Sequence, residues 1–394
     1  MLNITDKSKE EAITPLFRLG FRPFFLFGSL YSIIAILVWV VAFRSGQPEQ
    51  LQVPAIWWHV HEMLFGFAMA IVAGFTLTAV QNWTGIPGVK SWRLAFIFLL
   101  WLLPRILFWT PAPLWLISSI EALFLLSVAY EIGVRVLKAK GWRNLFFIPL
   151  FLVAIAANFA SYATIKGMPP FPSLAVWEAM IWWFTLLISI MGGRVIPFFS
   201  ARRLNYDKPQ PIFWLEVCSN LPLLLLFVLS FFPLAKLTIA TPILIFAALA
   251  QTIRFARWKP WLTLKEPLVW SLHICYAAIP LALWSLGLST SPMLSHSLIH
   301  LLAIGALGGV ILAMIARVTM GHTGRAIYEG PNASIAFAAI AIAAIVRSFG
   351  AGLFPQHLLV MVDVSALFWV TGYGLYLIKF GPMLMKARAD GHPG

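Results

Sequence analysis

Residues Trp57–Gly85 read WWHVHEMLFGFAMAIVAGFTLTAVQNWTG. The run is apolar for longer than the ~20 residues a helix needs to cross a bilayer, yet it opens on His59, His61 and Glu62. Ionisable groups at that depth are costly in hydrocarbon, so each is a functional suspect. A second stretch, His300–Gly324, reads HLLAIGALGGVILAMIARVTMGHTG and overlays the first without a gap. His61 falls on His300, Gly66 on Gly305 and Thr84-Gly85 on Thr323-Gly324, all at an offset of 239 residues. A weaker copy lies between them, with Val176-Trp177-Glu178 under Val60-His61-Glu62 and Met191–Val195 under Met314–Val318. Such periodicity reads as three related units in one chain.

The rest of the composition agrees with membrane residence. Of 394 residues 61% are hydrophobic and 11% charged, with mean hydropathy +0.88, whereas soluble domains carry about 25% charged residues. The expected fold is an all-α polytopic bundle of twelve transmembrane helices in one domain covering 1–394, arranged as three repeats of four. The spans fall at about 21–43, 57–80, 92–109, 113–134, 145–165, 173–193, 211–232, 237–253, 268–289, 296–316, 332–350 and 357–378, leaving 1–19 and 380–394 as tails. The net charge of +14 sits almost wholly in the tails and one alternate set of connections. By the positive-inside rule this places both termini in the cytoplasm, and the charge reads as an orientation signal rather than a nucleic-acid surface. The first twenty residues carry Asp6, Glu10 and Glu11 and no apolar core with a cleavage site, so the first span is expected to be retained. Cys218 and Cys275 lie in spans without metal-type spacing and imply no disulfide.

In this topology the second, sixth and tenth spans all begin on the external side, with His59, His61, Glu178, His296 and His300. Arg105, Glu121, Arg347, His357 and Asp363 join them in the outer half, which predicts one buried polar site near the outer face. His296 and His300 are four apart and share a helical face. His59 and His61 are two apart, about 200° around a helix, and would serve two separate ions unless His59 precedes the first turn. Imidazoles in an apolar bundle suit haem iron or copper, or else act as interfacial and proton-relay groups. Arg105 and Arg347 suit haem propionates through paired N–H donors, or ion pairs with Glu121 or Asp363. Glu62, Glu121, Glu178 and Asp363 are the candidates for proton carriage or ion pairing. His322, which aligns with Trp83, reads as an interface residue before a ligand, and His273 as a packing residue. A secondary transporter is the competing class, since twelve spans with internal repeats fit that as well.

Five motifs together resemble the NnrS family of bacterial membrane proteins: Phe17-Arg-Leu-Gly-Phe-Arg-Pro-Phe-Phe25, Trp58-His-Val-His-Glu-Met-Leu-Phe-Gly66, Gly192-Gly-Arg-Val-Ile-Pro197, His296-Ser-Leu-Ile-His300 and Met320-Gly-His-Thr-Gly-Arg325. The resemblance implies a protein containing haem and copper, with a b-type haem at the histidine motifs. It implies action on nitric oxide or a nitrosyl-iron species, in relief of nitrosative stress or in support of denitrification. More distantly, histidines on the second and tenth of twelve spans resemble the main subunit of haem-copper oxidases. The sixth and seventh spans lack histidine, however, with Trp177 at the repeat position, so the resemblance does not extend to the oxidases' copper ligands.

Overall fold

A computed structural model describes residues 11–165, 167 and 172–392. Residues 1–10, Lys166 and residues 393–394, which entered the charge and tail readings, lie outside the described residues. The structure is all-helical, with twelve long helices among the described residues: α1 Phe21–Ser45, α2 Ala55–Thr84, α3 Ser91–Leu107, α4 Leu114–Lys138, α5 Phe147–Ile165, α6 Ser173–Leu204, α7 Phe213–Leu229, α8 Pro233–Ala256, α9 Pro267–Leu288, α10 Pro292–His322, α11 Ser334–Leu353 and α12 Pro355–Leu384. Each coincides with an expected span. Nine of them are long and apolar enough to cross a membrane, and α7 is a shorter apolar helix. This is a multi-pass membrane protein. Several boundaries move, among them those of α6, which runs on to Leu204, α8 to Ala256, α10 to His322, and α12 to Leu384 with Phe380 and Leu384 buried, so α12 takes in the first five residues of the expected tail.

The packing is that of a membrane bundle, with small and polar residues inward. On α1 the exposed Leu30, Ile34, Leu37 and Val41 recur at i, i+4, i+7 and i+11, while Gly28, Ser29, Ser32 and Ala35 are buried. The lipid-facing stripe carries the bulky apolar side chains, because hydrocarbon solvates them as well as protein does and close helix approach needs small ones. The three helices that carry the matching segments are the most enclosed of the nine: 78% of the apolar window of α2, and 72% of those of α6 and α10, are buried.

Two compact units are formed by residues 1–173, 317–331 and 376–394, and by residues 174–316 and 332–375. In the first, α2 packs on α1 and α4, and α4 also on α3 and α5. In the second, α8 packs on α7 and α9, and α10 on α9 and α11.

Two of the three sequence copies correspond in local structure. A π-helical turn interrupts α2 at Glu62–Ala68, directly after His61, and another interrupts α10 at Leu301–Gly308, directly after His300. Both begin at the same offset of 239 residues. Carbonyls left by the wider turns are taken up by aromatic donors: Trp101 Nε1 donates to the Gly66 carbonyl at 2.7 Å and the Tyr373 hydroxyl to the Gly308 carbonyl at 2.8 Å. Both copies also stop alike. Thr84 and Thr323 donate to the carbonyls four residues back, Val80 and Thr319, at 2.6 Å each. Gly85 (φ +69°) and Gly324 (φ +73°) then take the left-handed conformation that ends a helix without steric cost. The third copy lacks the interruption, because α6 is α-helical throughout.

The Phe17–Phe25 and Met320–Arg325 motifs meet in the first unit, where they secure the end of α12. Arg22 is fully buried and its Nη1 donates to the carbonyls of Leu384 at 3.0 Å and Lys386 at 2.6 Å. The Ala389 amide donates to Thr323 O at 2.9 Å, and Arg388 donates to His322 O at 3.2 Å while pairing with Asp390 at 2.6 Å. His322 packs against Phe21 with ring centroids 5.6 Å apart. The hydrogen bonds from Arg388 hold the Asp390 carboxyl down at about 2. A carboxyl lowered in the folded state contributes fully above its ordinary range and loses that contribution as pH falls through the folded value. Pepsin should therefore begin to cut residues 385–392 in the intact protein as the pH is lowered from about 4 to about 2. In Arg388→Ala it should cut there already at pH 4. Cleavage indifferent to both changes would show that this pair does not retain the segment.

Candidate functional site: a buried ionic centre in the first unit

Five helices each contribute a polar side chain to one buried point. His61 and Glu62 come from α2 at the start of its π turn, Tyr31 from α1, Arg105 from α3, Glu121 from α4, and Asn158 with Tyr162 from α5. Neighbours in an α-helix point about 100° apart. The wider π turn begins between these two residues, and His61 and Glu62 address the same cluster, with Nδ1 2.9 Å from Oε1. Gly66 is required one turn on, since a Cβ there would lie 2.8 Å from both Glu62 Oε2 and the Tyr31 ring.

Arg105 bridges the two carboxylates. Its Nε lies 2.7 Å from Glu62 Oε2, an ion-pair contact without hydrogen-bond alignment, and its Nη2 pairs with Glu121 Oε1. The Tyr31 hydroxyl donates to Glu62 Oε2, and the Tyr162 hydroxyl donates to Glu121 Oε2 at 2.8 Å. His61 lies between, its Nε2 3.0 Å from Asn158 Oδ1 and 3.3 Å from Glu121 Oε2. Its ring is sandwiched by Trp57 at 4.5 Å and Phe65 at 4.9 Å. His61, Glu62 and Asn158 are wholly buried, and Arg105 and Glu121 are no more than 5% exposed.

Charge balance sets the protonation of this centre. Two carboxylates and one guanidinium leave one negative charge, which is expensive to bury uncompensated. Both imidazole nitrogens face oxygens, and only an imidazolium donates from both. One further proton, on His61 or on a carboxyl beside it, makes the set neutral. The 2.9 Å contact between His61 and Glu62 is short enough for that proton to pass between them.

Of the residues singled out in the sequence, His61, Glu62, Arg105 and Glu121 are thus brought together. Arg105 realises the ion-pair alternative with Glu121, joined by Glu62. Asp363 belongs to the other unit. His59 turns away from the centre and stacks on Trp39, centroids 4.4 Å apart, as a two-residue spacing requires. In the second unit, His296 is exposed and His300 half-buried, with Nδ1 3.1 Å from the Ser297 carbonyl. There Glu178 accepts from Trp182 at 3.4 Å, and Arg347 lies in a third π turn, Val346–Gly350 of α11. Tyr31, Asn158 and Tyr162 were not expected. Asn158, Ser161 and Tyr162 fall at i, i+3 and i+4 on an otherwise apolar helix, the one signal that marks this face.

A second buried network was also unexpected, because Arg254 was read as part of a connection. With α8 extending to Ala256, Arg254 is 1% exposed. It grips Glu216 with Nε at 3.0 Å and Nη2 at 2.6 Å, and its Nη1 donates to Ser189 at 2.9 Å and Tyr276 at 2.8 Å. Gln251 completes the set, accepting from Tyr276 at 2.7 Å and donating to Ser189 at 2.8 Å. The glycine pair of the Gly192–Pro197 motif makes room for it. A Cβ on Gly193 would collide with the Arg254 guanidinium, and one on Gly192 would lie 2.9 Å from the Tyr276 ring.

Which groups could hold a cofactor differs between the units. His61 offers no nitrogen to haem iron as placed: both are engaged and both ring faces are covered by aromatics. His61, Glu62 and Glu121 do present donor atoms within 4.8 Å of one another, but Arg105 already supplies the positive charge there, and a divalent ion would have to displace it. One imidazole with two carboxylates is also a harder donor set than copper prefers. His300 fits better, because its Nδ1 lies on the Ser297 carbonyl, the kind of backbone partner that orients ligating histidines.

The family model described as NnrS protein matches residues 15–388. No curated protein matches the chain.

Breaking the bridge should be costly. Arg105→Leu is expected to lower stability by about 3–5 kcal/mol, since it leaves two buried carboxylates sharing a proton, and Arg105→Leu/Glu121→Leu should recover part of it. Denaturant unfolding in detergent measures both, and equal stability of Arg105→Leu and the parent would refute a bridging role. In the other unit Gly193→Ala should unfold the protein well below the parent's temperature, while Gly374→Ala, with no atom near its Cβ position, should not.

Proposed function

The chain belongs to the NnrS family, and on that premise we propose a multi-pass protein of the bacterial cytoplasmic membrane that acts on or responds to nitric oxide. Its service is relief of nitrosative stress or support of denitrification, and its termini lie in the cytoplasm. Nitric oxide is small and apolar and reaches a membrane-embedded site through the lipid. The whole-chain family match, which runs through both histidine motifs, carries this reading.

His300 is the residue assigned to hold a b-type haem, with His296 one turn earlier on the same face. The orientation of His300 by Ser297 O supports the assignment. When bound, haem would supply an iron able to bind nitric oxide. The first unit's centre has a separate part. His61 holds a proton against Glu62 and Glu121, Arg105 keeps the set near neutrality, and Trp57 and Phe65 exclude water, so the centre stores a proton within the membrane. A secondary transporter is the second reading, and the interruptions after His61 and His300 favour it, since broken helices line transport sites.

A visible spectrum of the purified protein separates the two. A Soret band that shifts on addition of nitric oxide is expected, as is its loss in His300→Ala and its retention in His61→Gln. Lack of any Soret band would favour the transporter, and an unchanged band in His300→Ala would overturn the ligand assignment.

A further inference from the structure

We propose that the third π turn, Val346–Gly350 in α11, binds the carboxylate or phosphate of an amphiphilic ligand, with Arg347 as its cation and Ser348 as a hydroxyl donor. The proposal goes beyond the haem reading and stands without it. The turn packs on the first part of α10, Pro292–His300, closely enough that a Cβ on Gly352 would lie 2.6 Å from Leu294 Cδ1 and 3.1 Å from Ser297 Cβ. Within it, Nη1 of Arg347 is buried with no hydrogen-bond partner, and Oγ of the fully buried Ser348 likewise has none. Among the described residues no carboxylate pairs with Arg347.

The arginines of the two buried networks, Arg105 and Arg254, are satisfied quite differently. Arg105 bridges two carboxylates, and Arg254 grips one with two nitrogens while donating to two hydroxyls. A guanidinium in apolar surroundings without a counter-charge is unfavourable, and so is a buried hydroxyl without an acceptor. Adjacent residues on one turn share the same deficit, and it has a definite chemistry. A guanidinium donates only, so what completes the site must be negative and rich in acceptor oxygens. The surroundings specify the rest of the ligand: Met293, Ile345, Leu353 and Phe354 are all large, apolar and exposed. An anionic group on an apolar body matches both halves, which describes a haem with its propionates or an anionic lipid with its phosphate.

The test uses the full-length protein in an uncharged detergent, as wild type, Arg347→Leu, Arg347→Lys and Ser348→Ala. Four probes are titrated, with binding and thermal unfolding read out: haem, haem dimethyl ester, and mixed micelles containing phosphatidylglycerol or phosphatidylcholine. Without probe, Arg347→Leu is expected to unfold no lower than wild type, because it removes an unpaired charge. Its apparent affinity for the anionic probe should fall at least tenfold, that of Ser348→Ala several-fold, and Arg347→Lys should retain most of the binding. A preference for haem over its ester identifies a propionate, and one for phosphatidylglycerol over phosphatidylcholine a lipid phosphate. Binding of both anionic probes unaffected in Arg347→Leu would overturn the proposal, as would unfolding of that variant far below wild type without probe. Haem lost in His300→Ala but kept in Arg347→Leu, together with a phosphatidylglycerol response indifferent to Arg347, would sink this site and leave the haem reading standing. A phosphatidylglycerol response dependent on Arg347, in a protein that retains no haem, would do the reverse.

Discussion

A guanidinium that neutralises two carboxylates in a place where water cannot help is the constraint on which the first unit depends. Arg105 touches Glu62 and Glu121 together, and these residues come from three consecutive helices, α2, α3 and α4. In a low-dielectric interior the attraction offsets desolvation only if every remaining donor and acceptor is also satisfied. That condition recruits α1 through Tyr31 and α5 through Asn158 and Tyr162. The apolar side chains fix that the chain enters the membrane, but they do not fix which helix faces which, since lipid and protein interior solvate them about equally. The ionic centre does that work, because one rotation of each helix satisfies it.

The same reasoning covers the second unit, where Arg254, Glu216, Tyr276, Gln251 and Ser189 tie together α6, α7, α8 and α9. The two networks differ in surplus charge. Arg254 and Glu216 balance one to one and leave no proton to account for, with every donor engaged; this is a structural tie. The first centre has an extra carboxylate and an imidazole beside it, so its balance depends on a proton. A group that exists only in one ionic state stabilises, whereas a group whose neutrality depends on a movable proton can also report or deliver one, and this asymmetry makes the first centre the functional candidate.

Much of this was legible in the sequence because charge is conspicuous in an apolar chain. His61, Glu62, Arg105 and Glu121 stood out for that reason, and all twelve helices were located by hydropathy. Tyr31, Asn158 and Tyr162 were not, since neutral polar groups barely disturb an apolar window. Arg254 was hidden by a boundary: apolarity falls off after Ile253, but the helix continues, so the arginine turns inward instead of marking a loop. The ligand reading of His61 failed to anticipate its environment for a related reason. Spacing along one helix shows which way an imidazole points, but the groups that meet its Nε2, Asn158 and Glu121, come from other helices.

The π turns explain why two of the three copies remain recognisable. An inserted residue in a helix shifts the phase of everything after it, so its survival at the same offset in α2 and α10 requires that the segments before and after keep separate tasks in both. In α2 the preceding segment aims His61 and the following one meets α1 and α4. In α10 the preceding segment carries His296 and His300 and the following one ends, like α2, in threonine and left-handed glycine. Each turn is also stabilised from outside by an aromatic donor, Trp101 or Tyr373. In α6 the position of His61 is held by Trp177 and the helix is regular. With no imidazole to aim, an interruption there would leave carbonyls to be satisfied and give nothing in return. Among the three copies the histidine and the helical defect are thus present together or absent together, while the π turn of α11 at Val346–Gly350 follows an isoleucine and has its own cause.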